Sequence, residues 1–511
     1  MRILLVYPQF PETFWSFKHA LKFVSKKASY PPLGLLTLAP MLPAAWEKRL
    51  IDMNVEHLRD EDIAWADYVF LSAMAVQKDS VREVIKQVHD AGGKVIAGGP
   101  LFTMEPENYA DVDHLVLGEA EGIIDELVRD LEAGALQAVY RAAAFPGISA
   151  TPLPDWSLVK MKHYSSMAIQ YSRGCPFNCE FCDIVLLNGR RPRTKDADQF
   201  VRELESLYAA GWRDGVFIVD DNFIGNKEKL KKEVLPAIIA WRATKKTSLP
   251  FNTEVSINLA DDDELIRLMV QAGFNAVFVG IETPNEESLQ ECTKNQNRNR
   301  DLTADIRKLH NAGLEVQGGF IVGFDNDPLT IFKSQINFIQ RSGIVTAMVG
   351  MLNAPPGTRL FQRLKKENRI VSEFDGANMG INFIPKMNRK TLVDGYKNIL
   401  CGIYSPREYY QRIGTFLREF RPAHFKRTHV GMHHVKAFWR SFWILALREK
   451  GRRYYWRLWW ATLLKRPRSL PVMMKLSIYG YHFRRVVEKY VGEPLSMCAS
   501  ERSFPDGQGA R

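Results

Sequence analysis

The sequence is poor in cysteine, and its few cysteines are not spaced as disulfide partners. Its 511 residues include six cysteines. Three stand close together and three are isolated: Cys175, Cys179 and Cys182 form the group, and Cys292, Cys401 and Cys498 are single residues. Disulfide scaffolds are short, cysteine-dense secreted chains with an even set of partners. The sequence therefore excludes that class of protein.

Segments that would direct the chain into or through a membrane are also lacking. The N-terminus, MRILLVYPQF, has no long apolar stretch and no small-residue cleavage site, so we predict no signal peptide. No stretch reaches the ~18 apolar residues of a membrane-spanning helix. We expect a protein of the reducing cytoplasm, where a group of cysteines binds a metal or takes part in catalysis.

A second pair of cysteines is missing, and this absence restricts the choice of metal. A structural zinc site is closed by four ligands, usually as two pairs. The group reads CPFNCEFC from Cys175 to Cys182, and the nearest histidine, His163, falls in a stretch that we expect to lie outside this loop. Iron-sulfur clusters are usually held by four cysteines, so three cysteines leave one iron open to another ligand. Zinc is the alternative.

The spacing CxxxCxxC is the motif of the radical S-adenosylmethionine (radical SAM) enzymes, and this sequence resembles that superfamily. The resemblance implies that Cys175, Cys179 and Cys182 hold three irons of a 4Fe-4S cluster. It also implies that the amino and carboxylate groups of SAM chelate the fourth iron.

Residues 166–395 alternate between strand and helix patterns, beginning with the strand MAIQYS before the cysteines. Six such units predict a partial (β/α)6 TIM-type barrel, in which active residues lie at the carboxyl ends of strands. Acids, hydroxyls and glycines do follow the apolar runs. By the resemblance, the SAM-binding residues are Phe181, Asp220, Asp221, Asn222, Glu254, Ser256 and Glu282.

Residues 1–135 also alternate between short apolar runs and helical patterns, which predicts a Rossmann-like α/β domain with a parallel sheet. No GxGxxG follows the first strand, so a plain dinucleotide-binding domain is disfavoured. The region instead resembles the cobalamin-binding domain that precedes the radical SAM domain in one class of these enzymes. Its matching segments are PPLGLLTLA from Pro31, SAM at 72–74, GGP at 98–100 and GEAE at 118–121.

The cobalamin-binding residues that this second resemblance implies are Gln9, Ser72, Ala73, Gly98, Gly99, Gly118 and Glu119. The DxHxxG motif that supplies a histidine to cobalt in methionine-synthase-type domains is absent, since HLVLGE around His114 has the wrong spacing. We therefore expect cobalamin to bind without a protein histidine on cobalt.

The rest of the chain divides into a linker, a helical domain and a tail. Residues 136–165 lose periodicity and gain proline and glycine, which is typical of a linker. Residues 396–496 predict a helical C-terminal domain, and residues 497–511 a disordered tail. The whole layout resembles the cobalamin-binding radical SAM proteins with a C-terminal domain of unknown function, a family that includes hopanoid C-2 methylase.

The positive charge of the chain is concentrated in this C-terminal part. Between Ile403 and Tyr490 there are 20 Lys or Arg, 4 Glu and no Asp, so this part carries +16 of a net charge of +11 and the remainder about −5. Tryptophans alternate with the basic residues, as in helices that lie on anionic membranes. A helical domain that packs its tryptophans on the barrel is the alternative, and no nucleic-acid-binding motif is present.

We therefore expect a cobalamin-dependent radical SAM methyltransferase that uses a 5′-deoxyadenosyl radical to methylate an unactivated carbon. The expected substrate is apolar, with a membrane lipid or isoprenoid first and a tetrapyrrole second, and the electron donor is a flavodoxin or ferredoxin. One alternative keeps both cofactors but catalyses a cyclisation or oxidation without methyl transfer. A more remote one is a non-catalytic cobalamin or iron-sulfur sensor. No residue is assigned as catalytic.

Overall fold

A computed structural model describes residues 1–246, 249–376, 380–422, 431–492 and 495. The strands are β1 (Arg2–Tyr7), β2 (Glu47–Asp52), β3 (Tyr68–Ser72), β4 (Val95–Gly98), β5 (His114–Leu117), β6 (Val139–Arg141), β7 (Ser166–Ile169), β8 (Ser172–Arg173), β9 (Arg193–Thr194), β10 (Gly215–Ile218), β11 (Phe251–Val255), β12 (Phe274–Glu282), β13 (Glu315–Val322) and β14 (Ala347–Met351). The predicted tail at 497–511 and Cys498 lie outside the described residues.

The α-helices surround two parallel sheets and form the C-terminal part of the chain. They are α1 (Lys18–Val24), α2 (Leu33–Leu38), α3 (Asp60–Trp65), α4 (Lys78–Asp90), α5 (Pro100–Met104), α6 (Ile124–Ala133), α7 (Ile184–Asn188), α8 (Ala197–Ala209), α9 (Lys227–Lys229), α10 (Leu235–Ala243), α11 (Asp263–Ala272), α12 (Glu286–Glu291), α13 (Leu302–Ala312), α14 (Ile331–Ser342), α15 (Arg359–Lys366), α16 (Arg389–Tyr404), α17 (Pro406–Glu419), α18 (Met432–Ser441), α19 (Arg452–Lys465) and α20 (Leu470–Val491).

The first sheet has the order β2-β1-β3-β4-β5-β6, and all of its strand pairs are parallel. Its central strands read as apolar runs because helices cover both faces, as in other parallel sheets. The β1 residues Ile3, Leu4, Leu5 and Val6 are all fully buried. The α/β class expected for the N-terminal region is confirmed.

The expected linker at 136–165 is wrong at its start. Val139–Arg141 forms β6, which pairs with β5 from Leu115↔Val139 to Leu117↔Arg141. The run VYR is only three residues long, and neighbouring alanines, prolines and glycines hide it from pattern analysis. The sheet therefore continues past residue 135.

The second sheet has the order β14-β13-β12-β11-β10-β7 and is also parallel throughout. These are the six expected strands of the partial barrel. Their outward positions are packed against the surrounding helices, so that Val277 and Val279 of β12 are fully buried. Inward positions such as Phe278 and Gly280 remain partly accessible. The barrel interior is thus open, whereas complete TIM barrels fill theirs with side chains.

The C-terminal helices pack on both earlier parts of the chain. Helices α16 and α17 lie against α14 of the barrel, and α20 lies against α1 and α16. The fully buried Arg412 donates hydrogen bonds to Gln340 (2.6 Å) and to the carbonyl of Ile403 (2.8 Å), which offsets the cost of burying its charge. Among the described residues, no helix combines the length and apolar character needed to span a membrane.

Candidate active site

The three grouped cysteines lie on the loop that leaves β8, at the carboxyl end of the barrel strands. Cys179 is buried and the other two are partly accessible. The Cys175 amide donates to the carbonyl of Gly189 (3.2 Å), and the Cys182 amide donates to that of Cys179 (3.2 Å). Burial raises the pKa of Cys175 and of Cys182. These thiols therefore need a nearby cation to ionise, as a bound metal provides.

The three thiols could serve either one metal ion or a cluster. Among the residues that the structure describes, no three Cys, His, Asp or Glu side chains converge closely enough to hold one ion. A 4Fe-4S cluster places each thiolate on a different iron, so its ligands lie farther apart. Three separate thiolates are the ligands that such a cluster would use.

Gly174 gives the loop its shape. Its φ of 96° is left-handed, and a Cβ there would lie 2.9 Å from the carbonyl oxygens of Asn188 and Gly189. Only glycine accepts this conformation without strain.

Two predicted SAM residues, Asp220 and Asp221, are directed at this loop. Asp220 is buried and accepts hydrogen bonds from the Tyr171 amide (2.8 Å) and the Ser172 hydroxyl (2.6 Å). Burial raises the pKa of Asp220 to about 7, although these hydrogen bonds oppose the shift. Asp221 accepts from the Gly174 amide at 2.7 Å. Both carboxylates thus hold the three-cysteine loop in place.

The next two predicted residues, Asn222 and Ser256, are hydrogen-bonded to each other. The Asn222 side-chain amide donates to the Ser256 hydroxyl (3.2 Å), and the Ser256 backbone amide donates back to Asn222 Oδ1 (3.2 Å). The ends of β10 and β11 are therefore joined at the point where the resemblance expects SAM.

Glu254 differs from these carboxylates because it lacks a protein hydrogen bond. It lies on the inward face of β11, is partly accessible, and has no side-chain hydrogen bond or ion pair among the described residues. Burial, together with the neighbouring charge of Asp221, raises the pKa of Glu254 to about 7. Because no described residue pairs with it, this carboxyl group is suited to accept hydrogen bonds from hydroxyl groups of a ligand.

The predicted residue Glu282 is paired with Lys294, which sequence analysis missed. The Lys294 ammonium donates to Glu282 Oε1 at 2.7 Å. Burial acts to lower the pKa of Lys294, but the charges of Glu282 and Cys179 outweigh burial and raise it. A cation held beside the cysteine loop stabilises negative charge there. Glu282 itself has a left-handed φ of 63°, at an irregularity in the β12–β13 pairing.

Two further neighbours of Lys294 were also missed. Gln296 Nε2 lies 4.0 Å from Cys179 Sγ, and Asn297 donates to the carbonyls of Gly280 (2.9 Å) and Ile281 (3.0 Å). The segment TKNQN has no spacing that would have identified it. Cys292 just before it is a buried thiol, as expected. The predicted SAM residue Phe181 is partly buried, with its ring 6.3 Å from that of Phe324.

The cysteine loop is also braced from outside the barrel, by α15. Arg363 donates to Glu180, between two of the cysteines, at 2.8 Å and to Asp325 at 2.9 Å. The Leu360 amide donates to the Glu180 carbonyl at 2.9 Å. Burial opposes ionisation of Asp325, but Arg369 and Arg363 lower its pKa to about 2. This network was not foreseen from the sequence.

The predicted cobalamin residues Ser72, Ala73, Gly98 and Gly99 come together at the carboxyl ends of β3 and β4. Gly99 has a φ of 92°, and a Cβ there would lie 2.7 Å from the Ser72 hydroxyl and 3.3 Å from the Ala73 carbonyl. The edge is therefore lined by small groups, which lets a large flat ligand approach the backbone. No histidine lies among these residues.

The other predicted cobalamin residues have three different structural surroundings; they are Gly118, Glu119 and Gln9. Gly118 has a φ of 100° at the end of β5, and the Gln9 amide donates to the Ser80 hydroxyl at 2.9 Å. Glu119 is turned toward the barrel, where its carboxylate pairs with Arg173 (2.7 Å) and Arg193. In the structure Glu119 links the first sheet to the cysteine loop and does not stand free beside the small residues.

A three-cysteine loop at the mouth of a partial barrel, facing a Rossmann-like sheet, defines a cobalamin-binding radical SAM enzyme. Family models agree: the B12 binding domain matches residues 24–128, the radical SAM superfamily residues 169–333, and a domain of unknown function, DUF4070, residues 358–494. The chain belongs to this family of radical SAM enzymes with a B12-binding domain. Its cofactors are a 4Fe-4S cluster, SAM and cobalamin, as predicted.

Relatives that align with most of the chain include proteins named as methyltransferases. An uncharacterized methyltransferase of Synechocystis sp. is 39% identical over 97% of this chain and 94% of its own length. Hopanoid C-2 methylase of Rhodopseudomonas palustris is 33% identical over 80% of this chain and 78% of its own length. The chain is an enzyme of the methyltransferase type.

Solved structures share the fold. The cobalamin-dependent SAM radical enzyme OxsB aligns with a TM-score of 0.62 at 14% identity, covering 96% of this chain and 80% of its own. The radical SAM methyltransferase TsrM of Kitasatospora setae aligns with a TM-score of 0.58 at 14% identity, covering 95% and 99%. The expected three-part architecture is thereby confirmed.

Proposed function

We propose that this enzyme transfers a methyl group to an unactivated carbon of an apolar substrate, either an isoprenoid-like lipid or, as second choice, a tetrapyrrole. The observation that carries the proposal is the open barrel interior below the cysteine loop, which aromatic rings line. Phe217 of β10 and Phe278 of β12 occupy inward positions and are partly accessible. These accessible rings give the chamber apolar surface that a large apolar ligand would cover.

Two aromatic residues of the N-terminal domain complete the chamber. The Trp15 ring lies 5.1 Å from that of Phe278, and the Tyr30 ring lies 5.1 Å from that of Phe217. Trp15 remains 49% exposed although it touches the barrel. Accessible rings at this position can stack on a flat or polycyclic substrate.

The names of relatives favour the same substrate class. Besides hopanoid C-2 methylase, relatives at 25% identity include bacteriochlorophyllide d C-12(1)- and C-8(2)-methyltransferases of Chlorobaculum tepidum. These names describe polycyclic, largely apolar compounds. Because related enzymes differ in substrate on shared cofactor motifs, the names support a class and not one compound.

The residues of the chain would divide the work as follows. Cys175, Cys179 and Cys182 would hold the cluster, and Glu254 would accept hydrogen bonds from SAM. When bound, the cluster and SAM supply a radical that removes hydrogen, and cobalamin supplies the methyl group. The chain itself would hold the substrate carbon between the two sheets and exclude water.

The proposal extends to partners and location. A flavodoxin or ferredoxin would supply electrons, and no nucleic acid is involved. We place the enzyme in the cytoplasm, at the inner face of the membrane, because its proposed substrate is a membrane component.

Methyl-labelled SAM tests the proposal. The anaerobically reconstituted enzyme is supplied with a reductant, labelled SAM and either a hopanoid or a bacteriochlorophyllide, and the product is analysed by mass spectrometry. Label in the apolar product is expected. A product changed in mass without label would identify the cyclisation or oxidation alternative, and a protein that never cleaves SAM would be the sensor.

A further inference from the structure

The C-terminal helices carry an apolar stripe on their solvent side. Met432, Val435, Trp439, Trp443 and Leu447 follow one another at three- or four-residue spacing along α18 and the π-helical turn Phe442–Arg448, and each is exposed. Trp439 is 64% exposed. An ordinary surface helix turns polar residues to water, so this stripe requires an explanation.

The same helix already buries its other side. Ala437, Ser441 and Leu445, at four-residue spacing, are buried against the rest of the protein. The exposed stripe is therefore not the face that holds the helix in the fold. Helix α19 repeats the pattern, since Trp460 and Leu464 are exposed while Tyr455 and Thr462 are buried. Large exposed apolar patches mark interaction sites.

The charge around the stripe is almost entirely positive. Residues 431–469 contain ten Lys or Arg and one acid, Glu449. Glu449 pairs with the buried Arg484 at 3.3 Å, so it does not neutralise the exposed bases. Arg448 lies over the Trp443 ring at 4.9 Å, and Arg452, Arg453 and Arg457 are exposed beside it. This combination complements an anionic lipid surface.

We infer that α18, the turn Phe442–Arg448 and α19 form a surface that docks the enzyme on an anionic bilayer and brings its substrate to the barrel. The inference rests on the proposed function for the identity of the substrate. Tryptophan and leucine would enter the headgroup boundary, and the arginines would contact lipid phosphates. A second copy of the chain would match the apolar stripe but would repel its surrounding positive charge.

The docking surface is connected to the aromatic residues of the chamber through α1. Helix α18 packs against α1, and Arg440 donates to the Ser25 hydroxyl at 2.9 Å and to the carbonyl of Lys22. Trp15, which contacts Phe278 in the barrel, lies just before α1 in the chain. A substrate leaving the bilayer at α18 would thus reach Trp15 along α1.

Flotation of the whole protein with vesicles tests the docking surface. Vesicles of phosphatidylcholine with phosphatidylglycerol should carry the enzyme upward at low salt, and vesicles of phosphatidylcholine alone much less. The double variant Trp439→Ser, Trp443→Ser should bind at least about tenfold more weakly, because two large apolar side chains lose their burial. The triple variant Arg452→Ser, Arg453→Ser, Arg457→Ser should lose most of the preference for the anionic lipid, and added salt should mimic it.

Leu329→Ser is the matched control, because Leu329 is 69% exposed and lies outside the docking surface, in the loop between β13 and α14. It should float like the wild type. The inference is overturned if the wild-type protein stays at the bottom of the gradient at low salt, or if it floats equally with both lipids. It is also overturned if bound nucleic acid or self-association alone explains the binding. Uncoupled SAM cleavage, measured in parallel, should be unchanged in all variants. If the enzyme methylates detergent-dispersed substrate but does not float with vesicles, only the docking surface is refuted and the proposed function stands.

Discussion

The two sheet edges that face each other across the active site are built in opposite ways. The barrel edge is crowded with charged and amide groups, among them Asp220, Asp221 and the Glu282–Lys294 pair, and most are hydrogen-bonded to the cysteine loop or to one another. The edge of the first sheet at β3 and β4 offers Ser72, Ala73, Gly98 and Gly99. At the barrel edge, polar contacts fix the position of the side chains. The edge of the first sheet instead leaves open space beside the backbone.

This difference matches what the cofactor proposed for each edge would demand. A cluster and SAM require donors and acceptors at fixed points, since geometry decides their reaction. A corrin is large and flat, and it requires mainly that nothing protrude. Substitutions that remove side-chain groups should therefore be most damaging at the barrel edge. Substitutions that add side-chain atoms should be most damaging at the edge of the first sheet.

The largest effect is expected at the cysteines. Cys175→Ala, Cys179→Ala or Cys182→Ala should abolish the cluster absorbance and SAM cleavage, because the remaining thiols cannot hold three irons. Anaerobic reconstitution followed by absorption spectroscopy measures the first, and chromatography of 5′-deoxyadenosine the second. Cys292→Ala and Cys401→Ala are the controls. Loss of iron from Cys292→Ala would contradict the three-ligand assignment.

An added methyl group should be damaging at Gly99. Gly99→Ala would place a Cβ 2.7 Å from the Ser72 hydroxyl in a conformation that is nearly restricted to glycine, at a cost of about 1–3 kcal/mol. We expect cobalamin affinity to fall at least about tenfold, measured by equilibrium dialysis, while cluster content stays normal. Gly122→Ala is the control, because its Cβ would make an ordinary 3.7 Å contact. Unchanged cobalamin binding in Gly99→Ala would remove this edge from the cobalamin site.

A smaller, pH-dependent effect is expected at Glu254. Since burial raises its pKa to about 7, the carboxyl group is mostly ionised at pH 8 and mostly protonated at pH 6. The ionised form accepts stronger hydrogen bonds, so SAM should bind about fivefold more tightly at pH 8. Anaerobic titration calorimetry measures this ratio.

Two variants distinguish the contribution of Glu254 to this pH dependence from that of other titrating groups, including those of SAM. Glu254→Gln should reduce the ratio between the two pH values, because its amide does not ionise. Ser256→Ala should weaken binding by the same factor at both. A ratio that Glu254→Gln leaves unchanged would assign the titration elsewhere.

The two edges also differ in how far the sequence could predict them. Parallel strands buried on both faces are apolar runs, so eleven of the twelve strands in the two large sheets could be placed by inspection. The three-residue β6 could not. Glycines and cysteines with a motif spacing were identified, whereas Lys294 lies in a segment without any such spacing.

Contacts between residues that are far apart in the sequence could not be predicted. Arg363 and Glu180 are 183 positions apart, and neither residue differs from any surface arginine or glutamate in a linear sequence. The loop-supporting contacts of Asp220 and Asp221 were hidden in the same way, since a motif names a residue but not its neighbours. Folding alone brings these groups together.

The Arg363 brace bears on how this family can be engineered. Helix α15 lies inside the segment that the DUF4070 model matches, yet Leu360 and Arg363 of that helix grip the loop of the cluster. The boundary between recognised domains therefore runs through the contacts that support the three-cysteine loop. A chimera that exchanged residues 358–494 between relatives would also exchange α15 and its contacts with the cysteine loop. Glu180 and Asp325 would then have to pair with the arginine of the incoming helix.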